Sequence, residues 1–228
     1  AFIDDAPIDV AVNAVSGFEN IAIATSDPIV ATFTDLGGVD PSDADPAAGY
    51  TATIYWGDGS AGVGAVSIQR IGTTTRFIVT AAPHIYATPG SYPITVVVAQ
   101  AGEPTLGIGT GVATIADAPL NQTSSQPTIP DATEGVRIVD ARLGSFVDAN
   151  PLATTDQFTV TVDWGDGTGL QAARVIQPDG VGTTFYVVGS HTYASSIPAG
   201  GAPTIHGPGP FAALSPSGSY AINIAVKD

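Results

Sequence analysis

Trp56-Gly57-Asp58-Gly59-Ser60 recurs as Trp164-Gly165-Asp166-Gly167-Thr168, and the two copies hold the only tryptophans of the chain. Each copy closes an alternating run. Phe158, Val160, Val162 and Trp164 alternate with Thr159, Thr161 and Asp163, and Ala52, Ile54 and Trp56 play the same part in the first copy. A period of two puts one set of side chains on the buried face of a half-buried β-strand. The glycines flanking each Asp let the chain turn sharply, and the Asp side chain can bond the backbone amides that follow it. The stretch therefore predicts a core strand that runs into a tight turn.

Other anchors recur in the same order. His84-Ile-Tyr86 matches His191-Thr-Tyr193, Phe33-Thr-Asp35 matches Phe146-Val-Asp148, and Gly90-Ser-Tyr92 matches Gly218-Ser-Tyr220. Ordered self-similarity at one period marks a tandem of homologous modules, here of about 110 residues, near the usual domain size. Asp5-Ala6-Pro7 and Asp117-Ala118-Pro119 repeat at the joints. Residues 1–6 read as the tail of a preceding repeat, 7–117 as module 1 and 118–228 as module 2, so the chain is expected to be cut from a longer array. Tyr86 and Tyr92 are six positions apart, but Tyr193 and Tyr220 are 27 apart. Module 2 thus carries an insertion at about 194–217, rich in Gly and Pro, and such density predicts an irregular loop.

The composition fits an all-β chain. Among 228 residues there are 27 Gly and 18 Pro to punctuate short Thr-, Val- and Ile-rich runs, and only 12% are charged. Without cysteine there is no disulfide, thiolate nucleophile or thiolate zinc site. A net charge of −15 argues against nucleic acid and anionic membrane as partners. No apolar run approaches the roughly 18–20 residues of a membrane-spanning helix. Strands are expected at 8–15, 29–33, 52–56, 65–70, 76–80, 94–98 and 112–115. In module 2 they are expected at 137–139, 158–164, 173–177, 184–188 and 222–226. About seven short strands per module predict a Greek-key sandwich of immunoglobulin type, with one Trp filling each centre.

Trp-Gly-Asp-Gly-Ser/Thr, a strand pair, His-x-Tyr, then Gly-Ser-Tyr before an alternating strand resembles the PKD domain. The closer likeness is to the PKD-like repeats of large bacterial surface and secreted proteins. In module 1 the resemblance runs over Trp56, Asp58, His84, Tyr86 and Pro89-Gly90-Ser-Tyr92, in module 2 over Trp164, Asp166, His191, Tyr193 and Gly218-Ser-Tyr220. It implies two tandem immunoglobulin-like sandwiches in an elongated arrangement, an extracellular location, and roles in adhesion, spacing, or protein and carbohydrate contact. It implies no catalysis.

The candidate sites divide the same way. Asp58 and Asp166 read as turn formers. His84 and His191, two positions before a Tyr, are expected on the same side of a strand as that Tyr, each donating to a nearby carbonyl. No further His or carboxylate is placed beside them by the sequence, so a general base or metal site is not expected there. Tyr86 and Tyr193 look like tyrosine corners, internal hydrogen bonds that fix a crossover. His206 and Phe211, in the insertion, are the candidate pair for stacking on a sugar or docking a partner, against the plainer reading of a solvated loop. Asp35, Asp40, Asp43 and Asp45 put four carboxylates in eleven positions, a candidate calcium loop, although the spacing is not that of an EF-hand and a solvated acidic loop is the alternative. Gly107-Ile-Gly109-Thr-Gly111 has phosphate-loop spacing, but no helix follows it. The expected function is a non-catalytic spacer or stalk segment of a surface or secreted protein, with neighbouring repeats as partners. The alternatives are a polysaccharide- or protein-binding module using loops 35–46 and 194–217, with or without calcium, and an accessory domain of a secreted hydrolase.

Overall fold

The computed structural model describes residues 6–23, 27–38, 45–71, 74–103, 106–123, 132–194, 211–212 and 220–228. The chain divides into two compact units, Ala1–Ala118 and Pro119–Asp228. Each is an all-β, immunoglobulin-like sandwich.

In unit 1 the strands are β1 (Ile8–Val12), β2 (Val15–Phe18), β3 (Ile29–Asp35), β4 (Tyr50–Tyr55), β5 (Ala61–Ile71), β6 (Thr74–Thr80), β7 (Gly90–Gln100) and β8 (Leu106–Ala116). They hydrogen-bond in the order β1-β3-β6-β5-β4-β7-β8-β2. β5 belongs to both layers: residues 61–64 pair with β4, residues 65–71 with β6. The expected single strand over 8–15 is two strands. β1 runs antiparallel to β3 and β2 parallel to β8, so the chain changes layers between them. Asn13 makes the break, bonding the Val30 carbonyl with its amide (2.8 Å) and the Ile29 carbonyl with its side chain (2.9 Å).

In unit 2 the strands are β9 (Leu120–Gln122), β10 (Ile138–Asp148), β11 (Thr159–Asp163), β12 (Leu170–Ile176), β13 (Phe185–His191), β14 (Phe211–Ala212) and β15 (Asn223–Lys227), ordered β14-β15-β11-β12-β13-β10-β9. Here β12 bridges the layers, with residues 170–173 on β11 and 174–176 on β13. The insertion, expected to hold no strand, contributes β14.

Each core is built on the alternating runs. Ile54, Ile94, Val96 and Val98 are fully buried in unit 1, and Val160, Val162, Ile222 and Ile224 are buried in unit 2. At one end of each core three rings pack together. Phe33 stacks on Phe77 (4.6 Å) with Tyr50 against both, and Phe146 stacks on Phe185 (5.1 Å) with Phe158 against both. The tryptophans, expected to fill each centre, lie at the other end, because each directly follows the last residue of its core strand.

Gly107, Gly109 and Gly111 lie on a strand, not a phosphate loop. They alternate along β8 on the face that meets β1. A Cβ on Gly109 would stand 2.7 Å from the Val10 carbonyl oxygen, and one on Gly111 would stand 2.6 Å from a Val12 methyl. Only glycine lets the two layers approach this closely.

Candidate functional site

The recurring motifs meet in space at one place in each unit. β4 ends at Tyr55, and Trp56 follows with its indole in the core. Gly57 (φ 84°) and Gly59 (φ 92°) then reverse the chain into β5. Asp58, between them, accepts from the Ser60 amide (2.9 Å) and hydroxyl (2.6 Å) through Oδ1. Its other oxygen, Oδ2, meets Nε2 of His84 at 2.9 Å. An ionised carboxylate only accepts, so Nε2 carries the proton. The imidazole lies flat on Trp56, 4.5 Å centroid to centroid and 3° from parallel. Tyr86 stands edge-on to both rings, and its hydroxyl donates to the Trp56 carbonyl at 3.0 Å. Tyr92 packs against Tyr86 at 4.5 Å.

Unit 2 repeats the arrangement group for group. Thr168 donates to Asp166 through amide (3.1 Å) and hydroxyl (2.6 Å), and His191 Nε2 meets Asp166 Oδ2 at 2.8 Å. His191 stacks on Trp164 at 4.7 Å, the Tyr193 hydroxyl bonds the Trp164 carbonyl at 3.2 Å, and Tyr220 stacks on Tyr193. The clamp is more deeply buried here. The His191 and Asp166 side chains are 5% and 8% exposed, against 16% and 21% for His84 and Asp58.

Two expectations need correction. The histidines donate to carboxylates, not backbone carbonyls, because the turn aims the Asp at the His-x-Tyr segment. His84 does not lie on a strand: residues 81–86 connect β6 to β7 without regular structure, while His191 ends β13 and Tyr193 lies beyond it. Each Tyr still falls on the same side as its His. The tyrosine hydrogen bond exists, but it reaches back about 30 residues to the end of the preceding core strand.

The charge state of the cluster follows from its bonds. Burial pushes the Asp58 carboxyl up, but the Ser60 hydrogen bonds, the His84 hydrogen bond and the His84 charge outweigh it and hold the pKa below the ordinary value. Asp166 is lowered against burial in the same way by Thr168 and His191. Burial, with the Asp58 and Tyr92 charges behind it, pushes the Tyr86 phenol up to about 12. Tyr193 is raised for the same reasons. A raised folded pKa stabilises below the unfolded value and is lost as pH rises through the folded one. The Tyr86 contribution is therefore complete below about pH 10 and is lost as pH passes about 12. The depressed Asp58 and Asp166 work the other way: their contribution is present above about pH 4 and is lost as pH falls through the lowered values. Tyr86→Phe is expected to flatten the alkaline fall in unit 1 stability, and Asp166→Ala to flatten the acid fall in unit 2 while costing about 1.5–3 kcal/mol at neutral pH. Denaturant unfolding across pH measures both, and parallel curves for wild type and variant would contradict them.

Asp35 accepts from the Gly37 amide (2.8 Å) and from the Tyr50 hydroxyl (2.5 Å), which ties the end of β3 to the start of β4. Asp45 precedes a 3-10 turn at Pro46–Gly49 and receives the Ala48 amide on its backbone carbonyl. Asp40, Asp43 and His206 lie outside the described residues. Phe211 is placed by its backbone alone, opposite Ile224. Among the described residues no group of three or more His, Asp or Glu side chains is gathered.

No protein-family model matches the chain, and no curated protein matches it. A solved structure, protocadherin gamma B2 extracellular cadherin domains 1–5, aligns at 15% identity with a TM-score of 0.28, covering 84% of this chain and 34% of that one. The chain thus spans about a third of that structure's length. A likeness this slight adds nothing to the strand order and register that define the two sandwiches.

Proposed function

We propose that the chain is a non-catalytic segment of an extracellular repeat array of the PKD-like type, two sandwich modules that act as spacer or stalk among neighbouring repeats. The observation that carries this reading is the closure of both Asp–His clusters. A nucleophile–base pair needs the hydroxyl on the imidazole. Here the Ser60 and Thr168 hydroxyls donate to the carboxylate instead, the same carboxylate takes the His Nε2, and one face of each imidazole is covered by Trp. The groups that chemistry would use are spent on each other, which suits a strut. The charge of −15 is in keeping with a repeat that stays dispersed in solution.

The test is small-angle scattering of the two-module protein. An elongated monomer with a maximum dimension near two modules end to end is expected. A compact globule would count against the spacer reading.

A further inference from the structure

Six of the fourteen large apolar side chains exposed among the described residues lie on one face of unit 1: Phe18, Tyr55, Val63, Leu106, Ile108 and Val112. The strands β5-β4-β7-β8-β2 carry them side by side. Alternate residues of these strands build the core, so the others point outward: 61 and 63 on β5, 51, 53 and 55 on β4, the odd residues 91–99 on β7, the even residues 106–116 on β8, and 16 and 18 on β2. Residues paired across strands share a face, and the register makes this one continuous. Val63, Thr53, Val97 and Ile108 form one row across four strands, with Thr51, Ala99 and Leu106 in the row beside it. Phe18 closes the face next to Ala116.

None of these outward positions carries a charge. The fold does not require that. In unit 2, Asp163 and Lys227 stand at the places that Tyr55 and Ala99 hold in unit 1. Charge returns beyond the strand ends, at Asp58, Glu103 and Asp117. An uncharged, apolar centre inside a charged rim is the anatomy of a protein interface.

The occupant has to be as neutral as the face, because a charged group set against Val63 and Ile108 would lose its hydration and gain no partner. Two copies of a chain with a net charge of −15 repel each other, and this is the face of unit 1 where that repulsion is least. We propose that unit 1 pairs with unit 1 of a second copy through this face, sheet on sheet about a two-fold axis. A two-fold sets like patch against like patch, so an uncharged apolar face is its own complement. The area is sufficient. With about 4.8 Å between strands and about 6.8 Å between outward neighbours along a strand, the face covers roughly 600 Å². Two copies bury about 1,200 Å² together, the lower limit for a stable interface, so the dimer is weak and reversible.

The experiment is sedimentation of the two-module protein over a concentration series. A monomer–dimer equilibrium with a dissociation constant of about 1–100 µM is expected. Ile108→Asp puts a carboxylate into the interface twice over and is expected to raise that constant tenfold or more. Leu152→Asp and Val181→Asp remove equally exposed apolar side chains from unit 2 and add the same charge, and are expected to change it less than about twofold. If Ile108→Asp does not fold, Val63→Asp carries the test, since that side chain is 84% exposed. Raising the salt from about 0.05 M to about 0.5 M screens the repulsion between copies and is expected to tighten the dimer severalfold. A monomer up to about 500 µM, a dimer that Ile108→Asp weakens no more than Leu152→Asp does, or a dimer that salt dissociates would each overturn the proposal. The spacer reading is tested on the monomer, by scattering below the dissociation constant or on Ile108→Asp, so either can fail without the other.

Discussion

Gly165→Ala is expected to destabilise unit 2 by about 2–5 kcal/mol, and Gly167→Ala, two residues on in the same turn, by only about 1–2 kcal/mol. Both glycines hold a left-handed backbone, φ 78° and 83°. That conformation costs an L-residue about 1–2 kcal/mol wherever it occurs. The surroundings set the rest. A Cβ on Gly167 would meet nothing within 4 Å, whereas one on Gly165 would stand 2.3 Å from the Ala221 carbonyl oxygen. Backbone cannot swing aside as a side chain can, so overpacking adds about 1–3 kcal/mol. Gly57 repeats the conflict in unit 1, 2.5 Å from the Pro93 carbonyl oxygen. The first glycine of each motif is therefore a packing requirement, the second a turn requirement. Chemical denaturation of the two variants separates these roles. Equal losses would show that the close approach to Ala221 does not matter.

That distinction also marks the limit of what the sequence discloses. Alternation located the strands that face one core with regular pleat: the runs at 52–56, 94–98, 158–164 and 222–226 all supply buried side chains at period two. β10 was visible only at its start. Its buried apolar residues are Ile138, Ala141, Leu143 and Phe146, spaced by three, two and three, because the register slips between Ile138 and Ala141 and again between Arg142 and Gly144. Each bulge inserts a residue and breaks the period on which recognition depends. β8 was seen only over 112–115 for a different reason. Its first half alternates with glycine, and glycine weakens a strand signal even where, as here, it lets another strand cross.

The candidate site was legible by residue but not by contact. Trp, Asp, His and Tyr stood out in both copies. What joins them is a turn that carries Asp58 back over His84, 26 positions away. The co-recurrence of Gly-Asp-Gly with His-x-Tyr was the available signal for that pairing. The pairing of β14 with β15 was less accessible still. Gly and Pro density marked the insertion as irregular, and nothing in its composition singles out Phe211-Ala212 as the residues that pair.

Trp56→Ala is the variant expected to do most damage in unit 1, about 3–5 kcal/mol. The indole is 3% exposed and lies at the end of the core opposite the Phe33–Phe77 stack. Its loss leaves a cavity that the surrounding strands fill only in part. It also strips His84 of its stacking surface and Tyr86 of its edge contact, while the Trp56 carbonyl that Tyr86 bonds remains in place. Trp56→Phe keeps an aromatic face for His84 and is expected to cost roughly half as much, since less volume is lost. A domain of this size is stable by only about 5–15 kcal/mol, so the Ala variant consumes a large share of unit 1's margin. Its melting temperature is expected to fall by on the order of 15–25 °C. One tryptophan per unit makes the measurement direct. With Trp56 gone, Trp164 is the only indole left and its emission follows unit 2, while calorimetry follows both units. The unit 1 transition should move and the Trp164 transition should stay. A loss under about 1 kcal/mol would mean that the indole fills space its neighbours can reclaim, and the Asp–His–Tyr clamp would then hold without it.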